Sequence, residues 1–194
     1  MCIKGCPVPI YQDESELARL VGIYASLAPN RVLEVGSMYG GTLWYWMQYS
    51  PGATVVSVDL VVPGHDPRFG EVLAARHFWP VWARSTGCEL IDLQANSNSS
   101  DTLRKVAEYG PFDFIFIDGG HDYQTARADY INYFPMLRPG GVMAFHDIAY
   151  PDGNKDGFDV GRLWRELKTE HRWQEILRER NPEGIWGIGV LWRD

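Results

Sequence analysis

The sequence predicts an α/β fold built on a doubly wound parallel sheet with helices on both faces. Three observations carry it. Short runs that are apolar at successive positions, such as Phe112 to Ile117, suit strands buried on both sides. Stretches with helical apolar spacing alternate with them, and Gly/Pro clusters mark the boundaries. A length of 194 residues, 45% hydrophobic and 22% charged, fits a single globular domain over 1–194. Area scaling hides roughly 70% of such a chain's surface, enough for one sizeable core.

The elements follow in order. Asp13 and Glu16 cap a helix over 14–28, in which Leu17, Leu20, Val21, Tyr24 and Leu27 share a face. With it, residues 1–30 form an N-terminal helical segment. Pro29-Asn30 ends the helix, and Arg31 to Val35 reads as a buried strand before a glycine cluster. A helix over 41–49 stops at Pro51-Gly52, and Thr54 to Val58 is a β-branched strand running into Asp59. Residues 70–86 read as one helix, Cys88 to Leu93 as a third strand, Asp101 to Tyr109 as a helix and Phe112 to Ile117 as a fourth strand. Helical spacing from Tyr123 to Leu137 is stopped by Pro139-Gly140-Gly141, and Val142 to Phe145 is a fifth strand. Val160, Leu163, Trp164 and Leu167 mark a last helix. Strands over 173–178 and 185–192 then flank a turn at Asn181 to Gly184. Trp44 and Trp46, two positions apart on a helix, cannot share a face.

A net charge of −7 argues against nucleic acid as partner. No apolar run reaches the length of a membrane span. Cys2, Cys6 and Cys88 offer neither paired spacing nor an even count, so a reducing cytoplasm is the expected location.

In a doubly wound sheet, ligands sit outside the carboxyl ends of the strands, so the residues after each strand become candidates. Strand one leads into Glu34-Val35-Gly36-Ser37-Met38-Tyr39-Gly40-Gly41-Thr42. Its glycines let a ligand approach the backbone, and the helix that follows offers free N–H groups. The spacing G-x-x-x-G-G matches neither the dinucleotide fingerprint nor the phosphate loop. Asp59, at the end of strand two, stands where an acid would accept bonds from ribose hydroxyls. After strand three, Ala95-Asn96-Ser97 offers small polar groups for an adenine edge, although such residues also favour turns.

With Phe112 to Tyr123, which contains IDGGHDY, and Leu137-Arg138-Pro139-Gly140-Gly141-Val142, these segments resemble class I S-adenosylmethionine-dependent methyltransferases of the small-molecule O-methyltransferase type. The resemblance spans Val32 to Ile148. It implies a Rossmann-like sheet of seven strands with a terminal antiparallel hairpin. It also implies S-adenosylmethionine as cofactor, held by Glu34, Gly36, Ser37, Gly40, Gly41, Thr42, Asp59, Asn96, Ser97 and Asp118. The expected acceptor is a phenolic or sugar hydroxyl of a small molecule, and some relatives form homodimers.

Asp118 closes strand four and Asp147 follows strand five, on neighbouring strands about 4.8 Å apart, within reach of one divalent ion. Relatives carry an Asp-Asn pair where His146-Asp147 stands here. The expected metal set is therefore Asp118, His146 and Asp147, holding Mg²⁺ or a softer ion that accepts imidazole more readily. Both His146 and Asp147 can serve one site only if the chain turns there. Asp118, His121 and His146 are the candidate catalytic residues, either histidine having a pKa suited to deprotonating a hydroxyl. His65, His77 and His171 read as surface or packing residues, and residues 149–159 as a mobile loop that could cover the acceptor. Two alternatives stand beside methyl transfer: a nicotinamide-dependent oxidoreductase on the same sheet, and a non-catalytic binding protein that kept the fold.

Overall fold

The computed structural model describes residues 5–61, 68–155, 157–178 and 185–194. Its seven strands are β1 (Arg31–Val35), β2 (Thr54–Val58), β3 (Glu89–Leu93), β4 (Phe112–Ile117), β5 (Leu137–Phe145), β6 (Arg172–Ile176) and β7 (Ile188–Trp192). They form one sheet in the order β3-β2-β1-β4-β5-β7-β6. The first five run parallel, and β7 lies antiparallel between β5 and β6. Strand order reverses between β1 and β4, which opens a crevice at their carboxyl ends.

The helices are α1 (Glu14–Leu27), α2 (Gly41–Tyr49), α3 (Phe69–Arg76), α4 (Trp79–Thr86), α5 (Ser100–Ala107), α6 (Tyr123–Tyr133) and α7 (Val160–Leu167). On one face of the sheet, Leu17, Tyr24, Trp46 and Trp79 pack against Val32, Val55 and Phe114. On the other, Val106, Tyr133, Leu163 and Trp164 pack against Leu33, Val56 and Ile115. Consecutive strand residues thus feed opposite cores, which is why every position of β4 is buried and apolar save Asp113. Trp46 is fully buried and Trp44 half-buried, the split that their spacing required.

Several boundaries depart from expectation, and proline decides two of the largest departures. The helix expected over 70–86 is two, α3 and α4, because Pro80 inside a continuous helix would clash with the Arg76 carbonyl; it sits instead in the first turn of α4. Helix α6 ends at Tyr133, short of Leu137, and Pro135 opens a single 3-10 turn over Phe134–Met136. Strand β5 begins at Leu137 rather than 142, so Pro139-Gly140-Gly141 lies within it and not at a helix stop. The cause is tertiary pairing: Gly140 N–H donates to the Arg193 carbonyl at 2.6 Å, and Arg193 N–H donates to that of Gly141 at 3.0 Å. The terminal hairpin is present, while its expected turn at 181–184 and His65 fall outside the described residues. Among the described residues, no helix is long and apolar enough to cross a membrane.

Candidate active site

The crevice is built around Gly36. It follows β1 at φ +86°, and a Cβ placed there would lie 2.1 Å from the Asp118 carbonyl oxygen, so only glycine allows the ends of β1 and β4 to close together. Gly36 N–H donates to the Val58 carbonyl and Asp118 N–H to that of Val35, each at 2.8 Å, tying three strand ends together. Gly40 caps α2 at φ +83°, and the Trp79 indole occupies the space a Cβ would need. Glu34 is sealed beneath this turn. It accepts hydrogen bonds from Ser37 Oγ at 3.1 Å and from the Thr42 hydroxyl, and burial pushes its carboxyl up to about 8. It braces the turn through these two bonds.

A cavity of about 790 Å³ opens over these strand ends. Of the expected cofactor residues, Gly36, Ser37, Gly41, Thr42, Asp59, Asn96, Ser97 and Asp118 line it, whereas Glu34 and Gly40 do not. Asp59 Oδ2 accepts from Met38 N–H at 2.9 Å and from Arg76 Nη2 at 2.6 Å. Burial raises its carboxyl pKa against the pull of Arg76. Arg76, almost buried, also bonds Asp92 and lies 4.4 Å over the Trp79 ring. Asn96 Oδ1 accepts from Asn98 N–H at 2.8 Å, the turn-forming role that its residue type allowed.

The acid-base cluster lies at the ends of β4 and β5. Asp147 adopts φ +65°, so the chain does turn there and both His146 and Asp147 reach one cluster. His146 Nδ1 lies 3.1 Å from Asp118 Oδ1 and 3.2 Å from Asp147 Oδ1. Burial disfavours its cation, yet the Asp118 charge and the hydrogen bonds to both carboxylates overrule it and hold its pKa well above the ordinary value. His121 Nδ1 lies 2.8 Å from Asp147 Oδ2, with its side chain 42% exposed. Its pKa is also raised, because the hydrogen bond to Asp147 outweighs burial. The ligand atoms of Asp118, His121 and Asp147 all fall within 4.8 Å of one another. That trio holds His121 where the sequence suggested His146, whose 5% exposure and two carboxylate bonds make it a counter-charge between the acids.

Some residues at the site carried no readable signal. Gln12 Nε2 donates to Asp118 Oδ2 at 2.6 Å from the segment before α1. Phe158 stacks on the His121 ring at 4.3 Å and on Tyr150 at 4.4 Å, and Asp159 N–H donates to the His121 carbonyl at 2.8 Å. Phe158 and Asp159 thus pack directly on the exposed histidine. His171 Nε2 pairs with the Tyr130 hydroxyl at 2.7 Å and His77 Nδ1 approaches the Leu73 carbonyl, both away from the cluster.

Five parallel strands, a reversed β7 and a glycine turn after β1 define the Rossmann-like methyltransferase class of fold. Residues 33–148 match the family model described as a methyltransferase domain, and the chain belongs to that family. It is 30% identical over 135 residues to the 8-demethyl-8-(2-methoxy-alpha-L-rhamnosyl)-tetracenomycin-C 3'-O-methyltransferase of Streptomyces olivaceus, covering 64% of this chain and 30% of that one. An O-methyltransferase from Bacillus cereus in complex with SAH superposes with a TM-score of 0.62 at 18% identity, covering 98% of this chain and 84% of that one. MycE from the mycinamycin biosynthetic pathway, in complex with Mg, SAH and mycinamycin VI, gives 0.57 at 19% identity, covering 97% and 54%. The chain spans less than a third of the length of the curated relatives it matches, at 27%, 15%, 30%, 31% and 28%.

Proposed function

We propose that this chain transfers a methyl group from S-adenosylmethionine to a hydroxyl oxygen of a small molecule, a sugar or phenolic hydroxyl being the favoured acceptor. The observation that carries the reading is the His121–Asp147 pair, set beside Asp118 in the lining of the same cavity that the Gly36 turn and Asp59 line. Relatives named as O-methyltransferases of sugar-bearing natural products support it.

The residues present fit an adenosyl sulfonium compound. Gly36 supplies close backbone approach, Asp59 lines the cavity with both of its bonds on Oδ2, and Ala95, Asn96 and Ser97 form the wall after β3. When bound, this cofactor supplies a methyl already activated by its positive sulfur. The protein's task is then alignment of acceptor oxygen with that carbon, which at best contributes roughly 7–11 kcal/mol, together with removal of the hydroxyl proton. His121 Nδ1–H donates to Asp147, which fixes the tautomer and leaves Nε2 as the acceptor of that proton. Asp147 then stabilises the imidazolium that results.

A second reading rests on the convergence of Asp118, His121 and Asp147. Two carboxylates and an imidazole suit Mn²⁺, Fe²⁺ or Zn²⁺ better than Mg²⁺, and such an ion would acidify the hydroxyl directly. His146 already brings positive charge between the two acids, so activity is expected to persist within about twofold after exhaustive chelation if proton removal by His121 suffices. Loss of turnover that a divalent ion restores would move the role to the metal.

Asp59→Ala is expected to weaken S-adenosylhomocysteine binding by about 1.5–3 kcal/mol, roughly tenfold to a hundredfold, through loss of charge-assisted bonds to the ribose. Calorimetry checks it, and unchanged affinity removes the ribose assignment. Failure of the wild-type protein to bind the compound at all, with binding of a nicotinamide dinucleotide instead, would favour the oxidoreductase. Binding without turnover on any acceptor would favour a non-enzymatic role.

A further inference from the structure

The turn after β3 is gripped by one face of α6. Asp129, Asn132 and Tyr133 share that face at i, i+3 and i+4. Ser97 Oγ donates to Asp129 Oδ1 at 2.8 Å, and Asn98 Nδ2 donates to the same oxygen at 3.1 Å. Asn132 Nδ2 donates to Asn98 Oδ1 at 2.8 Å, and the Tyr133 hydroxyl donates to the Ser97 carbonyl at 2.6 Å. Asp129 is fully buried, and its Oδ2 has no hydrogen-bond partner among the described residues. Asp129 Oδ2 lies 3.7 Å from where a Cβ on Gly119 would stand, yet no hydrogen bond among the described residues joins Asp129 to Asp118, His121, His146 or Asp147, which leaves a role to be found in the turn it grips.

Its chemistry supplies one. Asp129 Oδ1 accepts from the Asn98 amide, which can only donate there, so the same oxygen serves as an acceptor toward Ser97. The single hydroxyl hydrogen of Ser97 is therefore committed to Asp129. Asn98 Nδ2 also approaches Ser97 Oγ at 3.3 Å, which leaves one lone pair on Oγ for a ligand. Ser97 lines the cavity, whereas Asp129 does not.

We propose that Asp129 fixes the polarity of Ser97 as a hydrogen-bond acceptor, so that this end of the cavity selects a base carrying an exocyclic amino group, adenine, over one carrying a carbonyl in its place, hypoxanthine. Asp129 is a positioning residue that acts through Ser97. The inference rests on the methyl-transfer reading, in which residues 95–97 flank the base of the cofactor. A site that commits an acceptor to an N–H rejects the analogue that presents a carbonyl, because two acceptors then face each other unpaired.

The test compares S-adenosylhomocysteine with S-inosylhomocysteine by calorimetry on the whole chain, as wild type, Asp129→Leu and Ser97→Ala. Wild type is expected to favour the adenosyl compound by about tenfold or more. Asp129→Leu removes the acceptor that holds the Ser97 hydrogen and frees the hydroxyl to donate, so the preference is expected to shrink to about threefold or less. Ser97→Ala removes the acceptor and shrinks the ratio likewise, and it decides alone if the leucine variant fails to fold. Equal wild-type affinity for both compounds overturns the proposal, as does a wild-type ratio retained in Ser97→Ala. A wild-type protein that binds neither compound overturns the methyl-transfer reading itself, and this proposal with it.

Discussion

Asp147→Asn is expected to lower kcat/KM by roughly 10²–10⁴-fold and to move the acid limb of its pH profile to lower pH. The backbone tolerates the change, since asparagine accepts the left-handed conformation that Asp147 holds at φ +65°. What changes is charge. Burial opposes ionisation of Asp147, but the hydrogen bonds and charges of His121 and His146 prevail and hold its carboxyl down to about 2. Reciprocally, burial alone would depress His121, and the bond to Asp147 lifts it above its ordinary 6.5. His121 is a base only when neutral, so wild-type activity falls as pH drops through that raised value. With asparagine the value falls, and the neutral imidazole survives to lower pH. The plateau still drops, because the imidazolium formed on proton transfer has lost its stabilising anion. Rate measurements across pH 5–9 test both statements. An acid limb that stays in place would assign the base to another group.

The same acid contributes to stability with a defined sign. Its folded pKa lies below the ordinary 3.8, so its contribution is complete above that value and disappears as pH falls toward about 2.

The parallel strands and the location of the crevice were legible because two cores leave a plain mark on the sequence. Val32/Leu33, Val55/Val56 and Phe114/Ile115 each send one side chain to either face, so β1, β2 and β4 appear as unbroken apolar runs. The Gly36 turn, Asp59, Asp118 and Asp147 were legible for a related reason, since each follows a strand whose end the sequence marks clearly. Gln12, Phe158, Arg76 and Asp129 were not. Gln12 meets Asp118 across 106 residues of chain, and Ser97 meets Asp129 across 32, separations that local spacing cannot encode. Phe158 lies in a stretch rich in glycine and aspartate, where nothing periodic singles it out. The boundary errors have a different origin: Pro80 and Pro135 break helices whose apolar spacing continues past them.

Gly36→Ala is expected to destabilise the fold and abolish cofactor binding together, and a second glycine separates the two causes of loss. At φ +86° an alanine costs about 1–2 kcal/mol from backbone conformation alone. Its Cβ would also stand 2.1 Å from the Asp118 carbonyl oxygen and 2.7 Å from Gly119 Cα, which are backbone atoms and cannot rotate away. Forcing β1 and β4 apart adds about 1–3 kcal/mol of overpacking, for a total near 2–5 kcal/mol, or roughly 4–20 °C in Tm for a chain of this size. Gly52 shares the conformation at φ +83°, but nothing lies within 4 Å of its would-be Cβ. Gly52→Ala should therefore carry only the backbone cost, about 1–2 kcal/mol, and bind S-adenosylhomocysteine as wild type does. The separation matters because the same displacement that relieves Gly36→Ala moves Asp118 away from Gln12 and His146, and so disturbs the acid-base cluster along with the cofactor turn. Calorimetry and thermal melts on the two variants measure this. Equal losses of stability, with binding intact in both, would mean that the close approach of β1 to β4 has no bearing on the cofactor.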